Sequence, residues 1–306
     1  MSEGFGLDWL RLREPHDLRA RSRALARRFG AAVQERASGE TATLVDLGAG
    51  SAANFRALAP LIPGNQDWRL VECDRRLLAH QGAEIAQWAR SQGWRVTHGH
   101  GVVTVATGVA HWRAHSIELD LARCLSDLPL TVHGITCAAL LDLVSAAWLE
   151  RLADGIVATR APFLAALNVD GRREWQPAHA DDAATARAFA RHQSGDKRFG
   201  PALGPDASAA ADALFRARGY GIASAAGEWR LGAGDGAMLA ELIEDTAAAA
   251  GEAGSLPAVA RWRADRHAEL KRGELRLAVG HVDILAEPDE SASREARTSD
   301  GSLSQL

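Results

Sequence analysis

Two acidic stretches and a pair of glycines carry the most legible chemistry in this chain. Asp46, Gly48 and Gly50 fall inside VDLGAGS, residues 45 to 51, and a second acidic stretch, LVECD, ends at Asp74. Gly48 and Gly50 let the backbone approach a ligand with no Cβ in the way and take up positive φ freely. A carboxylate such as Glu72 can accept two hydrogen bonds from a diol. A phosphate-cradling loop would need GxxxxGK[ST]. The lysines of this chain, Lys197 and Lys271, are both far from the turn. The dinucleotide fingerprint GxGxxG needs a third glycine where Ala53 stands. Alanine is sometimes tolerated there, so that reading stays open.

Other residues could act on a substrate, and each has a plainer reading beside it. HQSGDKRFG, residues 192 to 200, gathers His192, Gln193, Asp196, Lys197 and Phe199 beyond the fifth strand, where open α/β sheets keep their ligand crevice. His192 can serve as a general base, since an imidazole titrates near neutrality; a polar surface loop is the alternative. Asn168, at the end of the same strand, is a further substrate candidate. Asp142 lies in the apolar stretch LLDLVS. A buried carboxylate needs a partner, so it either holds a ligand or caps the helix beginning near Ser145. Arg13, Asp17 and Arg21 recur at i,i+4 spacing. That spacing reads first as a solvated salt-bridge ladder, and second as a lid helix whose Arg13 clamps a carboxylate. His133, Thr136 and Cys137, in the fourth strand, could face a reaction centre, with core packing the expected role for Cys137. His98, His100, His111 and His115 lack the carboxylate or cysteine that would complete a metal set. No metal is expected.

The elements that must position these groups alternate between strand and helix. Residues 7 to 36 read as a helical lead-in, and TLVDL, 43 to 47, as a short buried strand before the glycine turn. WRLVECD is the second strand, followed by a helix over about 75 to 92. Residues 94 to 120 could hold a hairpin and a third strand, and LPLTVHGIT, 128 to 136, is the fourth. A helix is expected across 138 to 153, then a fifth strand within 155 to 169. A helix near 181 to 192, an edge strand at GYGIAS, helices near 236 to 250 and 255 to 271, and a last strand over 274 to 288 complete the pattern. Such alternation argues an α/β sheet that is largely parallel.

The pairing of VDLGAGS with ECDRRLL resembles the class I S-adenosylmethionine-dependent methyltransferases: their first motif, then the acid ending the second strand four residues before two hydrophobic ones. The resemblance covers roughly residues 40 to 170. It implies a Rossmann-like, seven-stranded, mostly parallel sheet with helices on both faces. The expected organisation is a helical N-terminal cover over residues 1–40, from the lead-in pattern, a methyltransferase domain over 41–288 with a substrate-pocket insertion at 170–275, and a disordered tail over 289–306, from its polar composition. S-adenosylmethionine would contact Asp46, Gly48, Ala49, Gly50 and Asn54 around the turn. Glu72 takes the ribose position, with Cys73 and Asp74 beside it, and Asp120 and Leu121 reach the adenine side. The family's usual third glycine is replaced by Ala52. LREPHD (12–17), ALLDLVSAAWL (139–149), HQSGDKRFG and VGHVD (279–283) resemble recurring motifs of a bacterial branch of that family. The motif [DNS]PP[YF], which many nucleobase and glutamine methyltransferases carry, is absent.

Composition sets the remaining expectations. A net charge of -4 and the scarcity of lysine argue against a nucleic-acid partner. Cys73, Cys124 and Cys137 form no CxxC pair and read as reduced thiols. No apolar run has membrane-spanning length. The expected activity is methyl transfer to an O, N or S atom of a small molecule in the cytoplasm, with a homodimer as one assembly open to it. An RNA or protein methyltransferase, an NAD(P)-dependent oxidoreductase and a non-catalytic cofactor-binding protein are the alternatives.

Overall fold

The computed structural model describes residues 6–99, 101–128, 131–253 and 256–289. Among them, nine strands form one sheet: β1 (Ala42–Leu47), β2 (Gln66–Glu72), β3 (Arg95–Gly99), β4 (Val102–Ala106), β5 (His111–Glu118), β6 (Gly134–Ala138), β7 (Phe163–Gln176), β8 (Tyr220–Leu231) and β9 (Arg276–Pro288). Their order is β3-β4-β5-β2-β1-β6-β7-β9-β8. The five strands from β5 to β7 run parallel, while β9 is antiparallel to both β7 and β8. The sheet is therefore mostly parallel, as expected, but has nine strands rather than seven. The two extra strands are the β3–β4 hairpin, which adds antiparallel pairing on the β5 edge.

The central strands are apolar on both faces because helices cover both. In β1, Leu44, Val45 and Leu47 are fully buried. Two helices precede β1: α1 (Leu7–Ala20) and α2 (Arg23–Ala37). The single lead-in read from sequence is thus broken at Arg21-Ser22, where the Ser22 hydroxyl caps α2 by accepting from the Leu25 amide. On α2, Phe29 and Val33 are fully buried. A Cβ on Gly134 would lie 2.5 Å from Val33 Cγ2 and 2.9 Å from Phe29 Cζ, so this glycine is what lets α2 settle onto β6.

Helices α3 (Ala53–Leu58), α4 (Arg75–Ser91), α5 (Ala146–Thr159), α6 (Asp182–Gln193), α7 (Ala207–Arg216), α8 (Gly236–Glu252) and α9 (Leu256–Lys271) fill the connections. The expected helix over 138 to 153 starts later, because Leu141–Leu143 first makes a 3-10 turn and Ser145 then caps α5 at the Trp148 amide. The fifth strand begins at Phe163 and runs on to Gln176. The segment after residue 170 contributes β8 to the sheet itself, and its helices α6, α8 and α9 pack together around the fully buried Trp262.

Candidate active site

The turn after β1 is built around a buried acid. Asp46 is fully buried, and its Oδ1 accepts from Asn54 Nδ2 at 2.6 Å. Asn54 Nδ2 also reaches Thr136 Oγ1 in β6, and Asn54 Oδ1 accepts from Arg21 Nη1 at 2.7 Å. Asp46 Oδ2 is sealed from solvent and has no hydrogen-bond partner. Burial pushes this carboxyl up to about 7, against the Asn54 hydrogen bond and the charge of Arg21, which pull it down. Gly48 and Gly50 adopt φ of 65° and 53°, and Ala52 adopts 66°. Ala52 therefore bears at its Cβ the strain that the glycines avoid. Ala49 is buried in the turn and its amide bonds Val71. Leu140 lies over Gly48 and Leu10 of α1 over Gly50.

At the end of β2, Glu72 faces the same turn. Its Oε2 accepts from the Gly50 amide at 2.9 Å, and its Oε1 accepts from the amides of Cys73 and Asp74 at 2.8 and 2.9 Å. Gln81 Nε2 holds the Gly50 carbonyl from α4. Asp74 caps α4 through the Arg76 amide and pairs with the Arg76 guanidinium. Beyond β5, Asp120 closes a local turn onto the Ala122 amide, and the Leu121 carbonyl accepts from Trp148 Nε1. Arg198 spans these strand ends: Nη2 bonds Asp120 at 3.0 Å and Nη1 lies 3.6 Å from the Cys73 thiol.

Helix α1 crosses above. Arg11 pairs with Glu84 of α4, and Glu14 with Arg56 of α3. Arg13 and Asp17 are bonded through Nε and Nη2 at 2.9 and 3.3 Å. Their side chains are only 12% and 10% exposed. The Arg13 guanidinium stacks over Trp229 of β8, whose Nε1 donates to Asp17 at 3.0 Å. The reading of a solvated ladder is therefore corrected. Arg13 and Asp17 turn inward onto an aromatic ring, and Arg21 leaves the series for Asn54. A Cβ on Gly227 would collide with the Ala20 carbonyl, so glycine there is what allows α1 to lie against β8.

Next to Trp229, His281 is buried with its Nδ1 unpartnered, and burial lowers its pKa to about 4, so it stays neutral. Asn168 is fully buried; its Nδ2 bonds the carbonyls of Ala165 and Val282, while Oδ1 has no partner. Asp142 keeps a buried Oδ1 without a partner, and burial pushes its carboxyl up to about 6. It does not cap α5, since Ser145 does.

The HQSGDKRFG loop is largely self-structured. Asp196 accepts from the amides of Arg198 and Gly200, and Lys197 Nζ bonds the His192 carbonyl. His192 Nε2 pairs with Glu252 of α8 at 3.1 Å, and Gln193 ends α6 half-buried. Phe199 packs edge-on against Trp148. Arg198 and Phe199 carry this loop's side-chain contacts to Asp120, Cys73 and Trp148. His133 is also corrected: it precedes β6 and its Nδ1 accepts from the Thr43 amide at the start of β1, the opposite edge from the turn. Cys137 is core, as expected. His100 lies outside the described residues.

No family model and no curated protein matches the chain. Among solved structures it is similar to a proposed type II methyltransferase from Anaeromyxobacter dehalogenans, with 15% identity over 88% of this chain and 97% of that one and a TM-score of 0.48. It is similar also to a cyclopropane-fatty-acyl-phospholipid synthase-like protein from Lactobacillus casei ATCC 334, with 15% identity, 90% and 98% covered and a TM-score of 0.44. A third is a proposed methyltransferase from Bacillus halodurans C-125, with 11% identity, 85% and 98% covered and a TM-score of 0.43.

From sequence, Asp17 and Arg21 read as ladder members and Trp229 as packing, while no local signal marks Gln81 or Arg198. The motif VGHVD carries His281 and Asp283, whose roles depend on packing. Asp283 accepts from the amides of Ser22 and Leu167 and so ties the α1–α2 break to β7.

Proposed function

We propose that this chain is an S-adenosylmethionine-dependent methyltransferase of the cytoplasm, acting on a small molecule. The observation that carries this reading is the buried, unpartnered Oδ2 of Asp46 beneath the glycine turn. An unmet carboxylate oxygen favours a ligand that brings a positive group and opposes one that brings a pyrophosphate. S-adenosylmethionine carries an ammonium; a nicotinamide dinucleotide carries two phosphates. The short α3 also begins at Ala52 and Ala53, without the third glycine of a dinucleotide turn.

In this reading Asp46, oriented by Asn54 and Arg21, holds the amino end of the cofactor, and Gly48, Ala49 and Gly50 line its path. Glu72 is already aimed by three backbone amides and keeps lone pairs for the ribose hydroxyls. Asp120, Leu121 and Cys73 lie on the adenine side, with Arg198 bridging above them. When bound, the cofactor supplies an electrophilic methyl group. Leu10 and Leu140 exclude water from the turn, and the chain contributes mainly positioning. The acidic net charge supports a small acceptor over RNA. No described helix is long and apolar enough to cross a membrane.

Calorimetric titration with S-adenosylmethionine, S-adenosylhomocysteine and NAD(P) tests this. Micromolar binding of the first two, weakened in Glu72→Ala, is the expected result. Binding of NAD(P) without either sulfur ligand would replace the reading with an oxidoreductase.

A further inference from the structure

We propose that the methyl acceptor is a small amine, and that Asp142 receives it, with Asn168 beside it; this rests on the methyltransferase reading. Asp142 lies in the 3-10 turn Leu141–Leu143 that follows β6. It stands two residues from Leu140, whose methyls sit 3.6 and 3.8 Å from the place a Gly48 Cβ would occupy. The turn packs on β7, which ends the neighbouring parallel strand pair Cys137↔Ala165 and Ala138↔Ala166. Asp142 is thus set at the carboxyl edge of the sheet, next to the turn assigned to the cofactor.

Around Asp142 the unmet groups on β7 and β9 are acceptors. Asp142 Oδ1 and the fully buried Asn168 Oδ1 are acceptors with no donor. His281, which pairs with Val169 across the β7–β9 ladder, is neutral and presents a further unpartnered ring nitrogen. The nearby charges are already balanced. Arg13 spends Nε and Nη2 on Asp17, and Asp170 pairs with Arg172. Arg13 is therefore not free to clamp an anionic substrate in bidentate fashion; it acts on Asp142 through its charge, and Asp142 Oδ1 keeps no hydrogen-bond partner. A ligand rich in N–H donors and carrying one positive charge answers both demands; a carboxylate or phosphate answers neither.

The same carboxylate can prepare the nucleophile. An N–H bond of the bound ammonium breaks with its electron pair left on nitrogen, an O–H bond forms on Asp142 Oδ1, and the amine is left neutral with a free lone pair. Arg13, Asp17 and Trp229 act as positioning residues that close the α1 side.

The test is calorimetry on the full chain saturated with S-adenosylhomocysteine, titrated with propylamine and ethanolamine and, in parallel, with propanol and ethylene glycol. Expected are amine binding at least about tenfold tighter than that of the hydroxyl counterparts, and a loss of about tenfold or more in Asp142→Asn and in Asn168→Ala. Both variants should keep S-adenosylhomocysteine affinity within about twofold, which also reports that they are folded. S-adenosylhomocysteine binding without amine binding, or wild-type amine affinity in Asp142→Asn, overturns the proposal alone. Amine binding without S-adenosylhomocysteine binding overturns the methyltransferase reading alone, and absence of both overturns the two together.

Discussion

Asp46→Asn separates the electrostatic argument from the fold. The Asp46 carboxyl stands at about 7, raised chiefly by burial, against roughly 4 in an unfolded chain. Because the folded value is the higher one, the native state holds this proton more tightly. The stabilisation is complete below about pH 4 and is lost as pH rises through about 7. A shift of about three units corresponds to roughly 4 kcal/mol, of which roughly 2–3 kcal/mol falls between about pH 5 and about pH 8. Asparagine keeps the shape and can still accept from Asn54, but does not titrate. The melting temperature of Asp46→Asn should therefore gain on the wild type by roughly 5 °C as pH rises across that window, at about 2 °C per kcal/mol for a chain of this size. Scanning calorimetry of both proteins without ligand at about pH 5, 6.5 and 8 reads this directly. At the highest pH, S-adenosylhomocysteine at about a hundred times its Kd should restore roughly 2.7 kcal/mol to the wild type and far less to the variant. Melting curves that stay parallel across the range would refute the assignment of Asp46 as a buried, unmet carboxylate.

Four further outcomes follow from particular contacts. Glu72→Gln should raise the Kd for S-adenosylhomocysteine about tenfold or more, since a neutral amide replaces the carboxylate that three amides orient; calorimetry checks it. Gly227→Ala forces the Ala20 carbonyl away and should cost about 1–3 kcal/mol, seen as a lower melting temperature together with faster proteolysis within α1. Trp229→Phe keeps an aromatic face but removes the N–H bonded to Asp17 together with the indole's second ring, for a loss of about 1–3 kcal/mol by denaturant titration. His192→Ala breaks only a partly exposed pair with Glu252 and should change stability by less than about 0.5 kcal/mol. Turnover should survive it once an acceptor is in hand; its loss would return the base role from Asp142 to His192.

The local signals were legible from the chain itself. TLVDLGAGS had to be a strand and a tight turn, because β1 is apolar on both faces and Gly48 and Gly50 take positive φ. WRLVECD brings its terminal acid beside that turn, because neighbouring parallel strands carry their carboxyl ends to one edge. The alternation of strands and helices announced the mostly parallel sheet, and the Val- and Thr-rich stretch after Trp94 announced the edge hairpin, though not its place beyond β5. What the sequence could not announce was which polar residues share a neighbourhood. Arg13 and Asp17 read as a surface ladder because i,i+4 spacing describes one helix and says nothing of what lies opposite; Trp229, more than two hundred residues away, buries them. His192 read as a base because an imidazole titrates near neutrality and its segment follows the fifth strand, yet a helix end turned it toward Glu252 and left Arg198 to cross to Asp120. Local pattern follows from backbone sterics and the period of apolar residues, which act over a few positions. The partner of a buried charge is chosen by the packing of distant elements, and only the folded chain supplies it.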